Sequence, residues 1–284
     1  MTWKNPVAPT VTDSLLLELI QQHEERGPKA TAFDTPLRFS SSGDCARALS
    51  YQAIGAEVTN PFDAPSIWVT TLGTLIHEKV QDAISRRYPT ATFEIKGQVP
   101  GVTSGHCDAY IPDYPGGPAL YELKTMGGFA FEKSIGLKKQ ARKFADPEGP
   151  RASALMQAAI NAYVHQCEWV IIGHISLEGI SKGVAASVGM DDIARTIAEW
   201  KIPKDVWYPI AEQEIQRQAG IVEDVEQNGV LAGRIIIDEF TPKAIDPEAD
   251  RPYWKCDYCS YRETCIADGN GIVRLDETVA IRRK

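Results

Sequence analysis

The 284-residue chain has no apolar run approaching the roughly 20 residues that cross a membrane. Its opening residues, Met1 to Pro6, lack the charged-then-apolar pattern of a secretion signal. The expectation is a cytoplasmic protein with no membrane partner. Positive charge is also short: 30 Lys and Arg face 38 Asp and Glu, for a net −8. A chain-wide pull on nucleic acid is thereby excluded, so any such contact has to be local. Gly and Pro, at 22 and 18, stand near ordinary usage, and the sequence has no internal repeat. Those features exclude collagen-like, solenoid and low-complexity chains. What remains, with 43% apolar and 24% charged residues, is a folded protein long enough to bury a large core.

Six cysteines are present, and without a secretion signal a disulfide framework is not expected. Three stand as Cys256-x2-Cys259-x5-Cys265, a pattern of thiolates that can converge on one soft metal centre. A tetrahedral centre needs a fourth ligand, and Cys45, in Gly43-Asp-Cys45-Ala-Arg47, is the distant candidate. By spacing alone, zinc and an iron–sulfur cluster fit equally. Either would clamp the N-terminal part of the chain to the C-terminal part. Cys107 and Cys167 read as small buried apolar residues. Trp254 and Tyr258 read as shields over the metal centre.

Asp13 to Arg26 reads as a capped helix stopped by Gly27-Pro28. A second short helix starts after Gly43, carries Cys45 in its first turn and ends at Gly55. Thr70 to Tyr88 is amphipathic, with Leu72, Leu75, Ile76, Val80 and Ile84 on or near one face. From Thr92 the period shortens. Phe93, Ile95 and Val99 alternate as in a strand, Cys107–Ile111 is a second strand, and Leu120–Thr125 a third beyond the turn Asp113–Pro118. Arg151 to Gln166 returns to helical spacing, Glu168–Ile175 is a β-rich apolar run, and Lys204 to Gln227 is a long polar helix stopped by Gly229. That order predicts an α/β fold with a mixed sheet and helical material at both ends.

Glu122 and Lys124, two apart on a predicted strand, project together while Tyr121 and Leu123 turn into packing. Asp108, on the strand before, reaches the same end of the sheet. Two carboxylates and an ammonium in a small volume suit Mg²⁺ or Mn²⁺ and hydrolytic phosphoryl transfer. Alone, Glu-x-Lys is more often a solvated ion pair. His77, on the helix before the sheet, extends it to an ordered set of His77, Asp108, Glu122 and Lys124, and imidazole also suits Mn²⁺. His23, His165 and His174 read as packing residues, as does His106, which lies closer to the site. The stretch 133–143 holds Lys133, Lys138, Lys139, Arg142 and Lys143 and no acid, and reads as a contact to a nucleic-acid backbone.

Gly73-Thr-x-x-His77, Gly105-x-x-Asp108, Glu122-x-Lys124 and a following helix with Gln157, in that order, resemble the RecB-like branch of the PD-(D/E)XK nuclease superfamily. Cys45 with the C-terminal cysteine triplet resembles its iron–sulfur subset, which includes CRISPR-associated Cas-four exonucleases, AddB-type nuclease domains and phage-encoded relatives. The likeness runs from about Ser40 to Cys265. It implies a restriction-endonuclease-like core, a mixed sheet flanked by helices, with N- and C-terminal helical segments joined by a four-cysteine metal cluster. Residues 1–60 would contribute Cys45, 61–245 the nuclease core and 246–284 the cluster-binding segment. His77, Asp108 and Glu122 would hold Mg²⁺ or Mn²⁺, Lys124 would be the catalytic lysine with Gln157 beside it, and Cys45, Cys256, Cys259 and Cys265 would hold a 4Fe–4S cluster. The implied activity is that of a metal-dependent DNA exonuclease acting on single-stranded ends, in recombination, repair, or CRISPR or phage DNA processing. Recombination or CRISPR-adaptation proteins are the implied partners. A non-catalytic DNA-end-binding or assembly module and a structure-specific endonuclease are the rival readings. The chain departs from the family at one point: Gln-x3-Tyr becomes Gln157-x3-Asn161. The nearest tyrosine, Tyr163, sits ~200° further round the helix than position 161 and cannot simply inherit the contact. Asn161 takes the position without a ring to stack.

Overall fold

The computed structural model describes residues 35–61, 63–138, 143–144, 148–249, 253–269 and 273–275. The helix expected over Asp13 to Arg26 lies outside them, as do Lys139 and Arg142. The described chain opens on β1 (Leu37–Arg38) and a single 3-10 turn, then α1 (Ala46–Ala53), with Cys45 as its N-cap residue. Next comes α2 (Ala64–Arg87), which starts six residues before the expected Thr70. The reason is local: the Asp63 carboxylate accepts from the Ser66 amide at 2.9 Å, and Pro65 fits the first turn. A meander of β2 (Thr92–Val99), β3 (Thr103–Ile111) and β4 (Ala119–Met126) follows. Beyond it lie α3 (Gly128–Ser134), the short pair β5 (Leu137–Lys138) and β6 (Lys143–Phe144), α4 (Ala152–Val164) and β7 (Trp169–Ser176). Then come α5 (Lys182–Ser187), β8 (Ile197–Pro203) and α6 (Lys204–Glu226). The chain closes with β9 (Val230–Leu231), the hairpin of β10 (Ile235–Asp238) and β11 (Thr241–Ala244), α7 (Trp254–Asp257), α8 (Arg262–Ala267) and β12 (Val273–Arg274).

The result is a mixed α/β fold with a central six-stranded sheet, in the order β1-β3-β4-β7-β8 with β2 on β3. Small residues on α4 (Ala158, Ala159, Ala162) pack it against Leu120, Val170 and Ile172 on one face, together with Trp207 and Ala211 of α6. On the other face, Ile84 of α2 covers Ala109, Tyr121, Leu123 and Ile171. A separate cluster joins Leu49 and Tyr51 of α1 to Ile221, Val222 and Val225 of α6 and to Cys265. β4 and β7 run parallel over eight pairs, joined by the crossover through α4, whereas the edge strand β8 runs antiparallel to β7. No described helix is long and apolar enough to cross a membrane.

Two irregularities shape the middle of the sheet. One edge of β3 is paired with β2 along most of its length; the other meets β1 only at Thr103 and Ser104, and β4 only from Ala109 to Ile111. Residues 105–108 therefore have no strand partner on that edge. Moreover, the expected alternation of Phe93 and Ile95 does not hold. Phe93 packs on the α2 side and Ile95 on the α4 side, and Cys107 and Ala109 divide between the same two faces. The cause is Glu94, whose left-handed φ of 51° turns the strand over opposite Asp108.

Gly173 on β7 lies under the hydrogen bond from the Tyr121 hydroxyl to Glu199 (2.6 Å), and a methyl group there would stand on that hydroxyl. Gly173→Ala should therefore lower the melting temperature by several degrees, from a loss on the order of 1–3 kcal/mol; differential scanning calorimetry reads it directly. His174 is fully buried beside Trp200 at 4.7 Å, with neither ring nitrogen hydrogen-bonded among the described residues. Burial, with the charges of Arg151 and Lys124, lowers its pKa from 6.5 to about 4. The folded state thus binds fewer protons than the unfolded one below pH 6.5, and stability falls as pH drops from there toward 4. The loss should reach on the order of 3 kcal/mol, and His174→Phe should flatten that part of a pH-dependent urea-unfolding series.

Candidate active site

The site forms where β3 and β4 part. One step beyond the last ladder pair, Ala109 with Tyr121, Asp108 stands opposite Glu122. Instead of a backbone partner, the Leu123 amide donates to Asp108 Oδ2 at 2.6 Å, and Asp108 Oδ1 lies 3.4 Å from His77 Nδ1 on α2. Lys124 Nζ donates to Glu122 Oε1 at 2.7 Å and to Gln157 Oε1 on α4 at 2.9 Å. The fold thus brings His77, Asp108, Glu122, Lys124 and Gln157 together from two helices and two strands. Glu122 is only 1% exposed, and its Oε2 has no hydrogen-bond partner among the described residues. Burial lifts its pKa to about 7; Lys124 opposes the shift and the Asp108 charge adds to it. Burial works against charge on Lys124 and His77, but Glu122 in the first case and Asp108 in the second outweigh it and raise both pKa values.

A groove of ≈ 670 Å³ opens beside His77, walled by Gly73, Thr74, Gln81, Glu78, Glu94 and Thr125. Gly73 lets α2 approach β4, since a Cβ there would lie 3.3 Å from Thr125 Oγ1. Gln81, one turn after His77, donates to both Glu94 Oε1 (3.1 Å) and the Asp108 carbonyl (3.4 Å). The residues fit a divalent cation: a buried carboxylate oxygen lacks a partner, a second carboxylate faces it, and the donors are hard. Among the described residues, however, no three His, Cys, Asp or Glu side chains form a ready coordination shell.

One turn beyond Gln157, Asn161 is fully buried and donates to the His106 and Gln157 carbonyls, pinning α4 to β3. Tyr163 turns away to pack against Tyr208 at 5.4 Å. His106 is exposed, and His165 packs against Tyr110. Within the expected basic contact, Lys133 is paired with Glu148 at 2.9 Å, while Lys138 and Lys143 stand opposite each other in the β5–β6 pair.

The four expected cysteine ligands lie close enough to feel one another's charge, although among the described residues no three of them form a ready coordination shell. Cys45 caps α1, Cys256 lies in α7, Cys259 in the turn after it, and Cys265 in α8. Burial pushes the Cys256 and Cys259 thiols up to about 11, and each also feels the charge of Cys45 and Cys265. Around them the two chain ends are stitched together: Asn60 donates to the Cys259 carbonyl (3.1 Å), Arg234 to the Cys265 carbonyl, Tyr51 to Asp268 (2.5 Å) and Lys255 to Asp44 (3.0 Å). Trp254 and Tyr258 do not shield this region. They are 53% and 65% exposed, edge-on to each other, while Tyr51 and Tyr261 are the rings that pair beside the cysteines. Cys107 and Cys167 are buried in the core, as expected.

Sequence reasoning passed over Glu94 and Arg151. A left-handed glutamate leaves no mark in composition, and a lone arginine before a helix has no motif. No protein-family model matches the chain, and no curated protein matches it. Its backbone is similar to that of SSO0001, at 16% identity and a TM-score of 0.46 over 89% of this chain and 94% of that one. It is also similar to a phage-related exonuclease from Haemophilus somnus 129PT, at 11% identity and a TM-score of 0.39 over 68% of this chain and 96% of that one. Likenesses of this depth say nothing of chemistry, and the site stands on its own geometry.

Proposed function

We propose that the chain is a metal-dependent DNA exonuclease with a restriction-endonuclease-like core, hydrolysing phosphodiester bonds at single-stranded ends. The observation that carries this reading is Glu122: a buried carboxylate with one oxygen on Lys124, the other without a partner among the described residues, and Asp108 opposite. Glu122, Asp108 and His77 would hold Mg²⁺ or Mn²⁺, which supplies Lewis acidity and a template for the phosphoryl group. Lys124 keeps its proton, because Glu122 raises its pKa. It therefore serves as a hydrogen-bond donor and countercharge to the developing phosphorane, and orients the attacking water through Nζ. Gln157 fixes that ammonium, and Asp108 positions His77. In the same reading, Cys45, Cys256, Cys259 and Cys265 hold a 4Fe–4S cluster that ties segment 1–60 to segment 246–284 across the 61–245 core. Their four thiol donors and closely tied surroundings support it.

Two experiments test these assignments. With Mn²⁺ or Mg²⁺, end-labelled single-stranded DNA should be degraded while circular single strands survive. Glu122→Ala and Lys124→Ala should each cost at least about 10²-fold in kcat, and EDTA should abolish turnover. Full activity in either variant would sink the assignment. Protein purified without oxygen should be brown, with iron and sulfide in about equal amounts, and Cys259→Ser should bleach it. A colourless, zinc-loaded protein would replace the cluster with a zinc staple.

A further inference from the structure

A strand entering this site carries one negative charge per phosphate, yet the site's own charges do not balance it. Glu78 and Glu94 face the groove from the α2 side and repel a polyanion. The Lys124 ammonium is already matched by Glu122 at 2.7 Å. Positive charge has to come from the opposite, α4 side, and there Arg151 immediately precedes α4, about one and a half turns before the Gln157 that holds Lys124. Its charge acts on both Lys124 and His174, which places it beside the site. Among the described residues no carboxylate pairs with Arg151, and its side chain is exposed. Partial desolvation lowers its pKa, with no opposite charge offsetting the shift. The α2 wall is acidic and the α4 side basic, so the site has a polarity.

We propose that Arg151 binds a backbone phosphate flanking the one that reacts, and so fixes which way the strand lies across the groove; this rests on the nuclease reading. The guanidinium's planar fork matches two phosphate oxygens at once, which an ammonium cannot do.

The test is steady-state cleavage of a single-stranded oligodeoxynucleotide with Mn²⁺ by the full chain, across a NaCl series. Arg151→Ala should raise KM about tenfold with kcat nearly unchanged, and the slope of log(kcat/KM) against log salt should become shallower by about 0.7. Arg151→Lys should restore the slope but not all of the affinity. In the second arm, the linkages flanking the cleaved bond are replaced with neutral methylphosphonates. This should cost the wild type as much as Arg151→Ala does, and cost Arg151→Ala nothing further. Arg151→Gln, which keeps the side chain's bulk, should repeat the alanine result if alanine perturbs folding. An unchanged KM and slope, or a methylphosphonate penalty equal in wild type and variant, would overturn the assignment while leaving the nuclease reading intact. A wild-type chain that cuts nothing would overturn both.

Discussion

A carboxylate taken out of water governs the architecture around it. Glu122 lies in the middle of the sheet, 1% exposed, and an isolated charge there is prohibitively unfavourable. Lys124 answers one oxygen, and its half-buried ammonium takes a second fixed acceptor, Gln157, from α4. That in turn requires α4 to lie close against β4, which its alanines allow. Asn161 then pins the helix to β3 through the His106 carbonyl. The polar chain from Glu122 to Asn161 is also the reason α4 cannot slide: a shift of one residue would strand a buried amide or an ammonium.

The other half of the site comes from a break in regularity. β3 and β4 separate at the point where Asp108 would need a ladder partner, so its side chain captures the Leu123 amide. Across β3, Glu94 adopts a backbone conformation few non-glycine residues take, and both strands exchange faces there. A regular sheet would have kept Phe93 and Ile95, or Cys107 and Ala109, on one face. The irregularity lets two neighbouring carboxylates, Asp108 and Glu122, share the end of a gap.

Features that rest on periodicity were legible in the sequence. The helix after Arg151 and the apolar run of β7 follow from the spacing of apolar residues; the meander strands were placed, though not the change of face between Phe93 and Ile95, and the long polar α6 and the ordered set from His77 to Lys124 show in residue type and order. β8 escaped because an edge strand half open to solvent carries no clean alternation: Ile197, Trp200 and Ile202 are separated by charged residues. The start of α2 escaped because a single capping aspartate, not an apolar face, sets it. The partner of an arginine, the φ of a glutamate and the exposure of Trp254 depend on what surrounds them in space, and neighbouring residue types do not encode that.

The stitching of the two chain ends has a consequence for synthesis. Tyr51 and Asp44, on and beside α1, find their partners in Asp268 and Lys255, and Asn60 finds the Cys259 carbonyl, more than 190 residues downstream. During translation, α1 emerges long before any of these. α1 can dock on α6 through Leu49 and Tyr51 once that helix has formed, but the cysteines meet only after residues 253–269 have been made. Closing this corner therefore depends on segments made far apart in time, and a chain cut short before residue 253 would lack it.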